Sequence, residues 1–234
     1  MTLSKTIDYS EQKMADAFGD FLRSATGISK LAEFDTIVRE VDCSRGRPDY
    51  LGVRLHGGCC FDEPLHPIGE AGAHILSLLK PAVPRTFNYL RSQCVYTDAT
   101  LKRTLRNLIE LGYVKPRQDT SAYFLGEKYR FTQCEIWSFE LKLHNARRAV
   151  FQAQQSRVFA DRSMIVVPPG RENVYAKFDA PLKRFGIGLA VFDLYALDFH
   201  IVVSPGNTKA ICRQNQIYTL FQIGSLEKNL IYHR

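Results

Sequence analysis

A regular alternation of apolar and polar side chains runs through residues 133–144, QCEIWSFELKLH, and constrains the fold more than any other segment. Successive side chains of a β-strand point to opposite faces of the sheet. One face of this strand is therefore wholly apolar and consists of Trp137, Phe139, Leu141 and Leu143. The opposite face carries Ser138, Glu140 and Lys142. The segment predicts a strand with an apolar face against a core and a carboxylate beside an ammonium on its other face.

A Glu and a Lys two residues apart on a strand most often form an ion pair on a solvated face. A second segment, DYLGVRL, favours a functional role instead. Its first residue, Asp49, shares one strand face with the apolar residues Leu51, Val53 and Leu55. A carboxylate at the end of an apolar strand face needs a hydrogen-bond donor, an arginine or a metal ion to compensate its desolvation.

The remainder of the chain outside residues 66–132 mixes helical and extended patterns. The spacing of Met14, Phe18, Phe21 and Leu22 predicts an amphipathic helix over residues 10–24. A second helix is predicted over residues 145–161, with Gln152 and Gln155 on one side. Strands are predicted at residues 34–42, 49–55, 164–168, 187–192 and 198–204, with a flexible connection at 168–188. The order predicts an α/β (α+β) fold, and the last thirty residues have no clear pattern.

The middle of the chain has a different organisation. A Gly- and Pro-rich linker at residues 55–69 precedes three predicted helices at 73–79, 84–93 and 98–111. Thr97 is a suitable N-cap for the third helix and Gly112 closes it. Two strands are predicted at 113–116 and 123–131. Three helices followed by a hairpin is the order of a winged helix-turn-helix, and TLKRTLRNLIELGYVKPR resembles the recognition helix and wing start of that family.

This resemblance implies contact with duplex DNA through basic and amide side chains. On the third helix, opposite its Leu stripe, these are Lys102, Arg103, Arg106 and Asn107; in the wing they are Lys115, Arg117, Lys128 and Arg130. The net charge of +7 is compatible with a polyanionic partner. Two alternatives remain open: these residues solvate a small helical module, or the module docks another protein.

Three further segments, GRPDYLGV, FELK and ARRAVFQAQQSRVFADRSMIVVP, together resemble the PD-(D/E)XK nuclease superfamily with its restriction-endonuclease-like fold. The resemblance implies a mixed central sheet flanked by helices and a divalent cation, Mg²⁺ or Mn²⁺. Asp49, Glu140 and the carbonyl of Leu141 match the residues that hold the metal. Glu11 on the first helix is a weaker match to a further acidic residue near it.

Two more residues match the catalytic pattern of this superfamily. Lys142 corresponds to the lysine that orients or activates the attacking water, and Gln152 corresponds to the glutamine on the following helix. The chain departs from the family in the wide separation of Asp49 from Glu140, whose strands tend to be neighbours along the chain. We interpret this as a nuclease core of residues 1–65 and 133–234, interrupted by a winged helix-turn-helix at 66–132.

Several classes of protein are disfavoured by the sequence. No stretch approaches the ~18 uninterrupted apolar residues of a membrane span, and the N-terminus carries no secretory signal. We therefore expect a cytoplasmic protein with reduced cysteines. Residues 56–66 contain two histidines, Cys59, Cys60 and Asp62, which suggests zinc. Adjacent cysteines rarely both face one tetrahedral ion, so free thiols are favoured there.

The leading hypothesis is a metal-dependent DNA endonuclease that the inserted winged helix positions on duplex DNA. A homodimer and a larger nucleoprotein complex are both compatible with the sequence. One alternative is a non-catalytic DNA-binding regulator or scaffold with an inherited nuclease-like core, and another is a structural subunit of a larger complex. The joint presence of Asp49, Glu140 and Lys142 favours the enzyme.

Overall fold

The computed structural model describes residues 10–24, 31, 33–55, 65–118, 120–129, 134–226 and 231–233. The helices in this part are α1 (Glu11–Ser24), α2 (Glu70–Leu78), α3 (Phe87–Gln93), α4 (Asp98–Glu110), α5 (Ala146–Ser156), α6 (Asp179–Phe185) and α7 (Arg213–Gly224), with a 3-10 helix at Glu172–Phe178. The strands are β1 (Thr36–Arg39), β2 (Tyr50–Leu55), β3 (Arg85–Thr86), β4 (Val114–Pro116), β5 (Ala122–Leu125), β6 (Cys134–Leu141), β7 (Arg162–Val167), β8 (Ile187–Asp193), β9 (Asp198–Val203) and β10 (Ile231–His233). None of the helices described is long and apolar enough to cross a bilayer.

One mixed sheet forms the centre of the molecule, in the order β10-β1-β2-β6-β7-β8-β9. Strands β6, β7 and β8 are parallel to one another, and the other neighbouring strands pair antiparallel. Helices cover both faces of this sheet and bury apolar side chains against its strands. The prediction of a mixed α/β fold with a helix-flanked mixed sheet is confirmed at this level.

Helix α1 covers one face of the sheet. Its predicted apolar stripe is buried against aromatic residues of β2 and β6. Phe18 packs edge-to-face on Phe139 with ring centroids 5.4 Å apart. Tyr50 is anchored to the same helix, because its hydroxyl donates a hydrogen bond to the carbonyl of Ala15 at 3.0 Å. The apolar face predicted for residues 137–143 is therefore the face that packs under α1.

The opposite face of the sheet is covered by α5, α6 and α7. Helix α5 buries Ala149, Val150 and Ala153 against Ile165 of β7 and Leu189 of β8. Helix α7 is buried around most of its circumference, and its apolar residues Ile217, Leu220, Phe221 and Ile223 join a cluster with Leu51 and Ile136. Both faces of β6 are consequently buried, which differs from a strand with one solvated face.

Along the chain, all described elements from α2 to β5 come after β2 and before β6, although these two strands pair directly with each other in the sheet. They comprise three helices and a small antiparallel sheet in the order β3-β5-β4. The third helix begins at the predicted cap, since Thr97 Oγ1 accepts from the backbone N–H of Thr100 at 3.3 Å. It ends before Gly112, whose φ of +77° is a conformation that glycine adopts without strain. The two-residue strand β3 was not predicted, and the helix expected from residue 84 begins after it, at Phe87.

This middle region shares a hydrophobic core with the rest of the molecule. Leu101, Leu105 and Leu108 of α4 belong to the same buried cluster as Leu51 of β2 and Phe221 of α7. Tyr113, at the start of the hairpin, packs edge-to-face on Phe221 with centroids 4.9 Å apart. Because large apolar side chains interlock across this boundary, the region is fixed to the main sheet rather than suspended from it.

Three local expectations need correction. The stretch 168–188, expected to be a flexible connection, contains the 3-10 helix and α6. The helix expected over residues 145–161 ends at Ser156, and Phe159 beyond it is fully buried. The last thirty residues contain α7, together with β10, which pairs with β1. Most of the linker and the cysteine pair considered for zinc, at residues 56–64, lie outside the described residues.

Candidate active site

The pairing register of β2 and β6 places Asp49 opposite Glu140. The two strands run antiparallel, with Tyr50 paired to Phe139. Asp49 precedes Tyr50 and Glu140 follows Phe139, so the next position of the register brings these two carboxylates together on one face. Side chains directly opposite in such a pair have Cβ atoms roughly 4.5–5.5 Å apart. The adjacency that the insertion hypothesis requires is present.

Lys142 joins the two carboxylates. Its Nζ lies 2.9 Å from Glu140 Oε1 and 3.6 Å from Asp49 Oδ2. The backbone N–H of Lys142 donates to the carbonyl of Val166 at 3.0 Å, which keeps the residue in line with β6 and its side chain beside Glu140. The Glu140 side chain is 4 % exposed and that of Lys142 13 % exposed. A solvated surface ion pair, the alternative for these residues, does not fit this burial.

Burial and mutual repulsion shift the proton affinities of the acids. The pKa of Glu140 is raised to about 7, first by desolvation and then by the charge of Asp49, against the opposing effect of Lys142 and Arg148. Desolvation also raises the pKa of Asp49, although Lys142 and the N–H of Leu141 oppose it. Burial alone would lower the pKa of Lys142, but the two carboxylates raise it above its ordinary value. The single positive charge of Lys142 therefore does not fully offset the desolvation and mutual repulsion of the two carboxylates.

The donor set fits a hard divalent cation. Glu140 Oε1 is buried with the Lys142 ammonium 2.9 Å away, and a carboxylate has further lone pairs with which it can bind a cation. Asp49 Oδ2 accepts from the N–H of Leu141 at 2.7 Å, which fixes the carboxylate beside the backbone of β6. Carboxylate oxygens are the ligands that Mg²⁺ and Mn²⁺ prefer.

Glu11 lies at the edge of this group. One of its carboxylate oxygens is 3.4 Å from the backbone nitrogen of Leu143, and its charge raises the pKa of Asp49. In the described part of the chain, no three His, Cys, Asp or Glu side chains form a group able to hold a metal. The contacts of Lys142 with Asp49 and Glu140 define the centre of the candidate site, and Glu11 lies beside it.

Helix α5 presents one polar side to the carboxylates. Asn145 caps the helix in the left-handed conformation, and its side chain accepts from the N–H of Arg148 at 3.1 Å. The buried positions 149, 150 and 153 face the sheet. Gln152 and Gln155 lie beside this buried side and line a cavity together with Glu140, and the charge of Arg148 acts on Glu140. Gln152 Oε1 is buried and accepts no hydrogen bond from the described residues. Arg148 precedes Gln152 by four residues and so lies on the same side of the helix. This spacing could have indicated from the sequence that Arg148 also lies near Glu140.

A cavity of about 230 Å³ opens beside Glu140, between α5 and the turn that precedes β2. The residues of its wall that matter here are Arg45, Arg47, Glu140, Phe151, Gln152 and Gln155. The turn is closed by a hydrogen bond from the N–H of Cys43 to the carbonyl of Gly46 at 2.9 Å, with Gly46 at φ +121°. Sequence analysis did not identify Arg45, Arg47 or Phe151, because only the packing of the turn on α5 brings them to Glu140.

Tyr175 is a buried tyrosine whose phenol lies close enough to Glu140 and Glu11 to feel their charges. It lies on the 3-10 helix and is 4 % exposed. Its pKa is raised to about 12 by burial and by the negative charges of Glu140 and Glu11. The phenol therefore stays protonated at neutral pH. Tyr175 was not predicted as a site residue, because residues 168–188 were expected to form a flexible connection.

The residues predicted to contact DNA lie apart from this cavity, on the middle region. Lys102, Arg103, Arg106 and Asn107 are exposed on α4, opposite its buried Leu stripe. Lys115, Arg117 and Lys128 are exposed in and beside the β4–β5 hairpin. Lys115 forms a 3.5 Å ion pair with Glu127. Arg130 lies outside the described residues.

Comparisons of the chain with protein-family models, with curated proteins and with solved structures find no match. The chemistry of the site therefore rests on its own geometry.

Proposed function

We propose that this chain is a divalent-metal-dependent DNA endonuclease with a restriction-endonuclease-like core. The observation that carries the proposal is the position of Lys142, whose ammonium contacts carboxylates from two neighbouring strands. Such a group combines metal ligands with a fixed cation beside them. Both are useful for phosphodiester hydrolysis, where negative charge increases on the phosphate and water must be activated.

Asp49, Glu140 and the carbonyl of Leu141 would hold the metal, with Glu11 close enough to favour a cation electrostatically. The bound ion supplies Lewis acidity and a water molecule of lowered pKa. Lys142, already paired to both acids, positions that water or contacts a phosphate oxygen. Gln152, with its unsatisfied amide oxygen, orients a further polar group beside Glu140. Arg148, whose charge acts on Glu140, contributes positive charge close to the carboxylates.

We further propose that residues 66–132 form a winged helix-turn-helix that binds duplex DNA. Support comes from the order α2-β3-α3-α4-β4-β5 and from the exposed basic side of α4. In this class of module, the third helix contacts base edges and the hairpin contacts phosphates. Because α4 packs into the core that also holds β2, duplex bound there would lie at a fixed distance from Glu140.

The test is incubation of the purified protein with supercoiled plasmid in Mg²⁺ or Mn²⁺, with an EDTA control. The matched variants are Lys142→Ala and Lys183→Ala, the second being an exposed lysine on α6 that is paired only to Asp179 among the described residues. We expect metal-dependent cleavage by the wild type and by Lys183→Ala, and strongly reduced cleavage by Lys142→Ala. Cleavage that resists EDTA, or that does not depend on Lys142, would refute the proposal.

The second candidate is a non-catalytic DNA-binding regulator or scaffold. The observation that favours it is the basic side of α4, which needs no carboxylate to bind DNA. It predicts duplex binding that is independent of divalent metal and of Glu140, with plasmid left intact. Binding without cleavage in every metal tested would therefore select this candidate over the nuclease.

A further inference from the structure

We propose that the cavity beside Glu140 binds one unstacked nucleobase next to the cleaved phosphate, so that the preferred substrate is DNA with an unpaired nucleotide at that position. The inference rests on the proposed endonuclease function and names its substrate class. It depends on the shape of the cavity, on Phe151 and on polar groups that the core does not use.

The cavity has room for a single base. Its volume of about 230 Å³ lies between the 43–48 turn and α5, and Glu140 forms part of its wall. A base pair held in a helical stack cannot enter such a recess, whereas one extruded base with the edge of its sugar can. The neighbouring phosphate would then lie on the side of the carboxylate.

Phe151 gives the cavity an aromatic wall that folding does not require. Its neighbours in α5 at positions 149, 150 and 153 are buried, but Phe151 is 59 % exposed. Exposed apolar side chains are common on protein surfaces. Phe151 differs from the others through its place in the wall of the cavity that contains Glu140. Aromatic rings that line nucleic-acid sites stack on bases of any sequence because every base has a π-face.

The polar groups in the wall suit a base and its phosphates. Gln152 Oε1 is a buried acceptor without a partner among the described residues, and Gln155 adds a second amide. Amides can pair with the donor and acceptor edge of a flipped base. Arg45 forms no ion pair within the described part of the chain, whereas Arg47 is held to Glu40 at 3.1 Å. The positive rim and amide interior complement an anionic ligand with a polar planar ring, and they do not complement an apolar peptide.

The cost of removing a base from the stack determines the substrate class. Unstacking and unpairing cost least where the nucleotide is already mismatched, bulged or single-stranded. The protein should therefore prefer DNA with such a nucleotide over a fully paired duplex of the same sequence. The basic side of α4 remains free to hold the flanking duplex.

The experiment uses the full chain and two matched duplexes, one fully paired and one with a single bulged 2-aminopurine. The fluorescence of 2-aminopurine changes when the base leaves the stack of its neighbours, so it reports extrusion into the cavity independently of cleavage. The variants are Phe151→Ala, Phe151→Trp and the control Tyr195→Ala. Tyr195 is a second aromatic residue that is also 59 % exposed but lies on the β8–β9 turn. Substitution of side chains this exposed should leave the fold intact.

We expect binding to change the fluorescence of 2-aminopurine. We also expect the bulged duplex to be cleaved on the order of tenfold faster than the paired one, because its base is already unpaired. Phe151→Ala should remove both effects, Phe151→Trp should retain them, and Tyr195→Ala should change neither. Equal cleavage of the two duplexes together with unchanged fluorescence would refute the base site while leaving the nuclease intact. A fluorescence change that depends on Phe151 without any cleavage would refute the nuclease and keep the base site. Binding that is insensitive to Phe151, with the variant instead losing self-association, would assign the wall to a second copy of the chain.

Discussion

The replacement of Glu140 by Gln should make the protein more stable at alkaline pH and leave its stability unchanged at acidic pH, when metal is absent. The pKa of Glu140 is about 7 in the folded chain against an ordinary value of 4.5, because the carboxylate is desolvated and lies beside Asp49. The folded state therefore binds the proton more tightly than the unfolded state. Stability from this group is fully present below pH 4.5 and is lost as pH rises through 7.

The size of the effect follows from the same two values. The difference between about 7 and 4.5 corresponds to roughly 3 kcal/mol of unfolding free energy. Gln has nearly the shape of protonated Glu and does not titrate, so the variant lacks this loss. Lys142 keeps Asp49 as a partner in the variant, with the 3.6 Å contact already present. Arg148 and Glu11, the other charged groups that act on this pair, are common to both proteins.

The assay is urea unfolding of wild type and Glu140→Gln in EDTA at pH 4 and at pH 8.5. We expect similar free energies of unfolding at pH 4 and an advantage of about 3 kcal/mol for the variant at pH 8.5, equivalent to roughly 6–12 °C in Tm. Mg²⁺ should then stabilise the wild type at pH 8.5 and leave the variant nearly unchanged, because only the wild type offers the second carboxylate. A stability difference that is the same at both pH values would refute the burial argument, and stabilisation of both proteins by Mg²⁺ would refute the assignment of Glu140 as a ligand.

Three further predictions concern Lys142, the basic side of α4 and the shared core. Lys142→Ala should lower single-turnover cleavage by a factor on the order of 10² while changing duplex affinity little; cleavage at the wild-type rate would show that the ammonium is only structural. Arg103→Ala combined with Arg106→Ala should weaken duplex binding and lower the slope of log affinity against log salt by about one for each lost phosphate contact, whereas Lys183→Ala should not; identical slopes for all three proteins would contradict DNA contact by α4. Leu105→Ala should cost about 2–5 kcal/mol of unfolding free energy in one cooperative transition that includes the main sheet, because this side chain is 2 % exposed in the shared cluster; separate melting of residues 66–132 would show that the two parts are independent.

Local periodicity was sufficient to predict the elements that hold the carboxylates. The alternation in β6 and the helical stripe of α1 each reflect a face packed on one neighbour, and such a face leaves a simple repeat in the sequence. The strand containing Asp49 was recognisable for the same reason. Because the two acids and Lys142 belong to these elements, the centre of the candidate site could be named from the sequence.

Other elements left no such repeat. Helix α7 is buried on most sides, between the sheet and α2, so its apolar residues form no single stripe. Strand β3 has two residues and is too short for alternation to be visible. Phe151 and Tyr175 are near Glu140 through the rotation of α5 and the placement of the 3-10 helix. Those positions depend on tertiary packing, which outweighs local preference.

The pairing of β2 with β6 also has a consequence for the order of events during synthesis. The hydrogen bond from Leu141 to Asp49 joins residues 92 positions apart, and every described element of the middle region is translated between them. Closing so long an unfolded segment costs roughly 4 kcal/mol of chain entropy, and prior folding of the middle region reduces it by bringing its two ends together. A nascent chain that has not yet reached Cys134 holds Asp49 on a strand without its partner. The buried Leu stripe of α4 belongs to a cluster that also contains Ile136 and Phe221, which are translated later. An interrupted chain would therefore lack both the carboxylate pair and part of the core that holds the basic helix in place.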